Sequence, residues 1–125
     1  MLANAPMTTM LPVVDLDRAR QFYEERLGLQ PLGQSPDGKF RYAIGGTTLA
    51  LFPKPDGTKA DHTAVSFQVA DIETEIADLE ARGVVFEDFD LPGLKTEAHV
   101  CVLGSEKAAW FKDTEGNYLC IHQDL

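Results

Sequence analysis

Two stretches of the chain follow one plan, 56 residues apart. Val13-Val14-Asp15-Leu16-Asp17 opens a run that ends at Leu27-Gly28, and Gln68-Val69-Ala70-Asp71-Ile72-Glu73 opens a similar run that ends at Arg82-Gly83. In each copy a buried strand leads into an aspartate suited to capping a helix. An amphipathic helix of about three turns follows, and a glycine stops it. A duplication at close to half the chain length makes each half one supersecondary unit. It also puts any functional cleft where the halves meet.

The rest of each half follows from local signals. Residues 7–14 (MTTMLPVV) read as a strand, with Pro12 tolerated at an edge or bulge. Asp15 caps a helix over 16–27, with Leu16, Ala19, Phe22, Tyr23 and Leu27 as its core stripe. Segments 29–32, 40–44 and 47–52, separated by Ser35-Pro36-Asp37-Gly38 and Gly45-Gly46, suit an antiparallel meander. Residues 53–61, rich in proline, glycine and charge, read as the linker. The second half supplies a strand at 62–69, a helix at 72–82 with Ile72, Ile76 and Leu79 inward, and a strand at 84–89. It closes with a hairpin, 107–112 and 118–122, around Asp113-Thr114-Glu115-Gly116-Asn117. Residues 90–106 have no counterpart in the first half. Two tandem βαβββ modules, about 7–52 and 62–123, therefore account for nearly the whole chain as a single domain.

Composition narrows the partners. Twenty acidic against eleven basic residues give a formal charge of −9, a field that repels phosphate backbones and anionic lipid. Neither nucleic acid nor membrane is an expected partner, and a neutral or cationic ligand is favoured over an anionic one. The first ten residues carry neither the basic start nor the apolar core of a signal peptide. A cytoplasmic protein is expected, with Cys101 and Cys120 reduced; a bridge between them is the alternative.

The string VVDLDRARQFYEERLG and the ending AAWFKDTEGNYLCIHQ resemble the vicinal oxygen chelate superfamily, which includes glyoxalase I, extradiol dioxygenases and the bleomycin and fosfomycin resistance proteins. The resemblance implies an α+β fold. Its two βαβββ modules would form a half-open, mostly antiparallel eight-stranded barrel around a cleft, often within a homodimer. It also implies four places for metal ligands, on the first and last strands of each module. Here those places hold Thr8, Ala50, Ala64 and Cys120. None is a usual ligand for a hard divalent ion, so no cofactor is expected and no catalytic residue is assigned.

Other residues are candidate site groups. His62 lies near the second module's first strand, and Cys120 and His122 alternate on its last. A displaced zinc site of His62, Cys120 and His122 fits by ligand chemistry, although the spacing is not specific. The opposing reading makes both histidines strand-end residues and Cys120 a core filler. A nucleophilic Cys120 lacks a base positioned to reach it. His99 and Cys101 alternate within the asymmetric segment without completing a ligand set, and Glu87, Asp88 and Asp90 form an acidic edge beside Phe86 and Phe89. Phe40, Tyr42, Phe52, Phe67 and Trp110, with Cys120, are the candidate ligand-binding residues; core or dimer packing is the competing role of each ring.

The expected function is that of a metal-free protein holding a small organic molecule in the cleft, sequestering or sensing it. The alternative is a lyase or dioxygenase with a displaced metal site. An interaction module with a self-filled cleft is the third reading.

Overall fold

The computed structural model describes residues 1–125 and places them in two compact units, Met1–Lys59 and Ala60–Leu125. Together they make an α+β fold with mixed sheets and two helices.

The first unit runs β1 (Thr8–Val13), α1 (Leu16–Gln21), a π-helical turn (Phe22–Arg26), β2 (Gln30–Gln34), β3 (Phe40–Ile44) and β4 (Thr47–Pro53). Its sheet has the order β1-β4-β3-β2, with β1 parallel to β4 and the other pairs antiparallel, as the meander requires. Pro12 therefore sits on an edge strand, where its missing N–H costs no ladder bond on the outer side. Strand parity places Leu11, Phe40, Tyr42, Leu49 and Leu51 on one face, and all five are buried. The helix lies on that face: Tyr23 and Tyr42 have ring centroids 6.2 Å apart, and the Arg20 guanidinium stands 3.9 Å from the Phe40 ring centroid.

Asp15 caps α1 as its sequence position demands, its Oδ1 accepting from the Arg18 N–H at 3.0 Å. The helix does not stay regular to residue 27. From Phe22 the turn widens, and the Leu27 N–H reaches back five residues to the Phe22 carbonyl. The widening lets two consecutive aromatics, Phe22 and Tyr23, both face inward, 4 % and 0 % exposed. Asp15 and Gly28 are also one residue farther apart than Asp71 and Gly83, and the π-turn holds that extra residue. Both helices end on a left-handed glycine, Gly28 at φ 72° and Gly83 at φ 90°. The Leu29 N–H closes the first end on Tyr23, six residues back, whereas the Val84 N–H closes the second on Leu79, five back.

The second unit repeats the plan with β5 (Thr63–Gln68), α2 (Ile72–Ala81), β6 (Phe86–Glu87), β10 (Glu106–Lys112) and β11 (Tyr118–Asp124). Asp71 caps α2 by accepting from the Thr74 N–H at 3.1 Å. The sheet order is β5-β11-β10-β6, with β5 parallel to β11. α2 covers the face of Phe111, Leu119 and Ile121: Lys107 Nζ reaches Glu73 Oε1 at 2.7 Å, and Gln123 Oε1 accepts from the Ile72 N–H at 2.9 Å. The strand expected over 84–89 pairs with β10 only at Phe86 and Glu87, because β9 (Cys101–Leu103) takes the rest of that edge. The asymmetric segment supplies β9 and a short hairpin, β7 (Asp90–Leu91) with β8 (Leu94–Lys95). No helix is long and apolar enough to cross a membrane.

The turn before β11 is held by one carboxylate. Asp113 Oδ1 accepts from the N–H groups of Glu115 and Asn117, and its Oδ2 accepts from the Asn117 side-chain amide, each at 2.8 Å. All three residues are buried, so the network must be complete to be stable.

Candidate functional site

Each sheet has a face turned away from its helix, and strand parity decides which side chains it carries. In the first unit Met10, Arg41, Ala50 and Phe52 share this open face; Ala50 is fully buried and the others keep some exposure. In the second unit Ser66, Gln68, Glu106, Trp110, Cys120, His122 and Asp124 share it.

The six expected ligand contacts divide between the two kinds of face. Phe52 lies on the first open face, and Trp110 and Cys120 lie on the second, cross-strand partners in register. Phe40 and Tyr42 lie instead against α1, buried at 5 % and 0 %. Phe67 pairs in register with Ile121 and shares the face that α2 covers. Trp110 is fixed at both ends. Its Nε1–H donates to Thr63 Oγ1 at 3.0 Å, and its ring meets Phe89 edge-on, with centroids 5.6 Å apart.

The four places where the resemblance implies metal ligands do not fit a hard ion. Ala50 offers a buried methyl group, Ala64 another alkyl side chain, and Thr8 an exposed hydroxyl. Burial pushes the Cys120 thiol up against the opposing hydrogen bond from Ser66, and the charge of Glu106 adds to the rise. The neutral thiol is a poor ligand for a hard ion and a poor nucleophile.

The structure groups His122 with residues other than those of the displaced zinc site. Ligand atoms of Glu106, His122 and Asp124 all lie within 4.8 Å of one another. His62 precedes β5, is exposed, and is not in that group. His99 has its own carboxylates: Nδ1 lies 2.9 Å from Asp88 Oδ1 and Nε2 lies 3.5 Å from Glu80 Oε2, while the ring stacks on Phe86. Ala98 and His99 both take positive φ, 49° and 72°. That backbone turn, invisible in strand alternation, aims the imidazole at Asp88. Both cysteines are free and buried.

Arg41 was not among the expected site residues. It lies between Phe40 and Tyr42, whose rings occupy the core face, so alternation alone sends its side chain to the open face. Its Nε is buried without a hydrogen-bond partner, and no carboxylate pairs with the guanidinium. Glu106 and Asp124 were missed for a plainer reason, since β10 starts one residue earlier and β11 ends two residues later than the apolar pattern indicates. A recess of about 410 Å³ along α1, lined by Asp17, Arg20, Gln21, Glu24 and Glu25, is built from one helical segment alone and brings no open-face group into play.

A mixed sheet under one helix, made twice in tandem with four strands in the first and five in the second, and in each with the first strand parallel to the last, is the architecture of paired βαβββ proteins. The profile of the Glyoxalase/Bleomycin resistance protein/Dioxygenase superfamily matches residues 7–121, and the chain belongs to that family. It is 32 % identical over 133 residues to YurT, an uncharacterized protein of Bacillus subtilis (strain 168), with 94 % of this chain and 97 % of YurT covered. Among solved structures it is similar to TnmS3, an antibiotic binding protein from Streptomyces sp. CB03234, at a TM-score of 0.76 and 24 % identity, covering 100 % of this chain and 99 % of that one. It is also similar to a lactoylglutathione lyase from Agrobacterium tumefaciens, at a TM-score of 0.72 and 21 % identity, with 96 % and 93 % covered. At these identities the two structures speak for the fold. Binding proteins and enzymes both use it, so function rests on the site.

Proposed function

We propose that this protein binds a small organic molecule on its open sheet faces and sequesters or senses it without a metal ion at the family's ligand places. The carrying observation is the buried, unpartnered Nε of Arg41 on a face that also presents Phe52, with Ala50 where a metal ligand would stand. A buried N–H without a partner costs about 1–3 kcal/mol, which a ligand carbonyl or carboxylate would recover. A flat ring bearing a carbonyl suits both Arg41 and the aromatic side chains, and a neutral one also suits the charge of −9. The half-open barrel belongs to this proposal and is supported by family membership. So does a homodimer, because each sheet ends in edge strands whose outer backbone groups a second copy could cover.

Trp110 is the sole tryptophan, so its fluorescence reports on the second open face directly. Titration with bleomycin and a panel of carbonyl-bearing planar aromatics, in the presence of EDTA, should give a saturable change by calorimetry, which reads either face, and a compound on the second face should also change Trp110 emission. The bound compound should be recovered unaltered. No saturable change across the panel, or recovery of a chemically altered compound, overturns the reading; the second outcome would favour a lyase or dioxygenase.

A further inference from the structure

We propose that Glu106, His122 and Asp124 form a binding site for a divalent first-row transition ion, separate from the family's ligand places. The three come together through register. β10 and β11 pair antiparallel with Glu106 opposite Asp124 and Ala108 opposite His122, so both carboxylates and the imidazole project from the same open face at one end of the sheet. Their donor atoms lie within 4.8 Å of one another, near enough for small side-chain rotations to close them around one ion at bond lengths of about 2.0–2.2 Å.

Electrostatics ask for a cation at this point. Like charges directly opposed on neighbouring strands destabilise a sheet, and no lysine or arginine relieves the Glu106–Asp124 pair. The nearest basic residue in sequence, Lys107, points to the other face and is taken by Glu73 at 2.7 Å. Neighbouring β5 meanwhile orients two of the three ligands. Ser66 Oγ and His122 Nδ1 lie 2.5 Å apart, and Gln68 Nε2 donates to Asp124 Oδ2 at 3.1 Å. With Nδ1–H donating to Ser66, Nε2 keeps its lone pair for a metal, as in histidines that ligate ions while their second nitrogen is held. The Leu125 N–H, donating to the Ser105 carbonyl at 2.8 Å, ties the two strands together just beyond the site.

One imidazole nitrogen and two carboxylates suit zinc, manganese or nickel better than calcium, which takes oxygen ligands. Three protein ligands leave positions open for water or for a chelating group of a bound molecule. The site stands independently of the organic-ligand proposal, because metal is measured without any organic compound and organic binding is measured in EDTA.

The test is calorimetric titration of the chelator-stripped full chain with zinc alone. We expect one ion per chain. Affinity should fall at least tenfold in Glu106→Gln and His122→Gln, and about tenfold in Ser66→Ala through the loosened ring; His62→Ala, exposed and outside the group, should bind as the parent does. Folding of each variant is checked by circular dichroism. Manganese added to the unsubstituted protein should broaden amide resonances around residues 106, 122 and 124 first, a readout that needs no variant. No saturable zinc binding, unchanged affinity in Glu106→Gln and His122→Gln, loss in His62→Ala, or broadening centred elsewhere overturns the site.

Discussion

The Tyr42 hydroxyl donates to Glu24 Oε2 at 2.8 Å, and Arg20 Nε meets the same oxygen at 2.9 Å. One carboxylate oxygen thus joins the π-turn, α1 and the middle of the sheet. Burial and the hydrogen bond to Glu24 both push the Tyr42 phenol up, so it stays a donor at all physiological pH values. Replacing Tyr42 with Phe keeps the ring packing and removes only the donor. Urea unfolding should show a loss of about 1 kcal/mol, well short of the cost of a core cavity.

Glu24 should make part of the stability depend on acid. Burial raises its carboxyl, but the bonds from Arg20 and Tyr42 together outweigh that and leave it lowered. A lowered folded-state value means that the contribution is complete above the unfolded carboxylate value of about 4.3. It is lost as pH falls through the folded value. Thermal melts from pH 6 to pH 3 should therefore show a shallower decline for Glu24→Gln than for the parent protein, and an equal slope would contradict this.

Arg41→Met should separate binding from folding. Methionine keeps much of the apolar stem and removes the unpartnered Nε. The thermal midpoint should hold or rise slightly, while calorimetric affinity for a carbonyl-bearing ligand found in the panel titration should fall about tenfold, the equivalent of one hydrogen bond to a charged donor. A drop in both would make Arg41 a structural residue.

Asp113→Ala removes the acceptor of three buried hydrogen bonds at once. A loss of about 2–4 kcal/mol in denaturant unfolding is expected, with Asp113→Asn intermediate because it keeps one carbonyl oxygen. The turn sets the register of β10 against β11, so the substitution should also lower zinc affinity at Glu106 and Asp124.

The order of elements was legible because it depends on signals within a few residues of each other: the Asp15 and Asp71 caps, the Gly28 and Gly83 stops, and the Gly45-Gly46 turn. Strand alternation also carries Arg41: with Phe40 and Tyr42 in the core, it is the open-face residue between them. Phe67 stands three residues after Ala64, so alternation puts the two on opposite faces and sends Phe67 to the side of Ile121 that α2 covers. The Glu106, His122 and Asp124 group was hidden. Its members sit where apolar periodicity fades at strand ends, and only the pairing of β10 with β11 brings them within reach of one another.

The wide turn at Phe22–Arg26 means that helix length in this scaffold is not dictated by the sheet beneath it. The first copy holds its one additional residue inside the helix, leaving the aspartate cap, the left-handed glycine and the strand that follows in matching roles in both copies. Aligned half against half, the chain should take its one-residue gap within that turn and not in a loop. A deletion there would return the first copy to the spacing of the second.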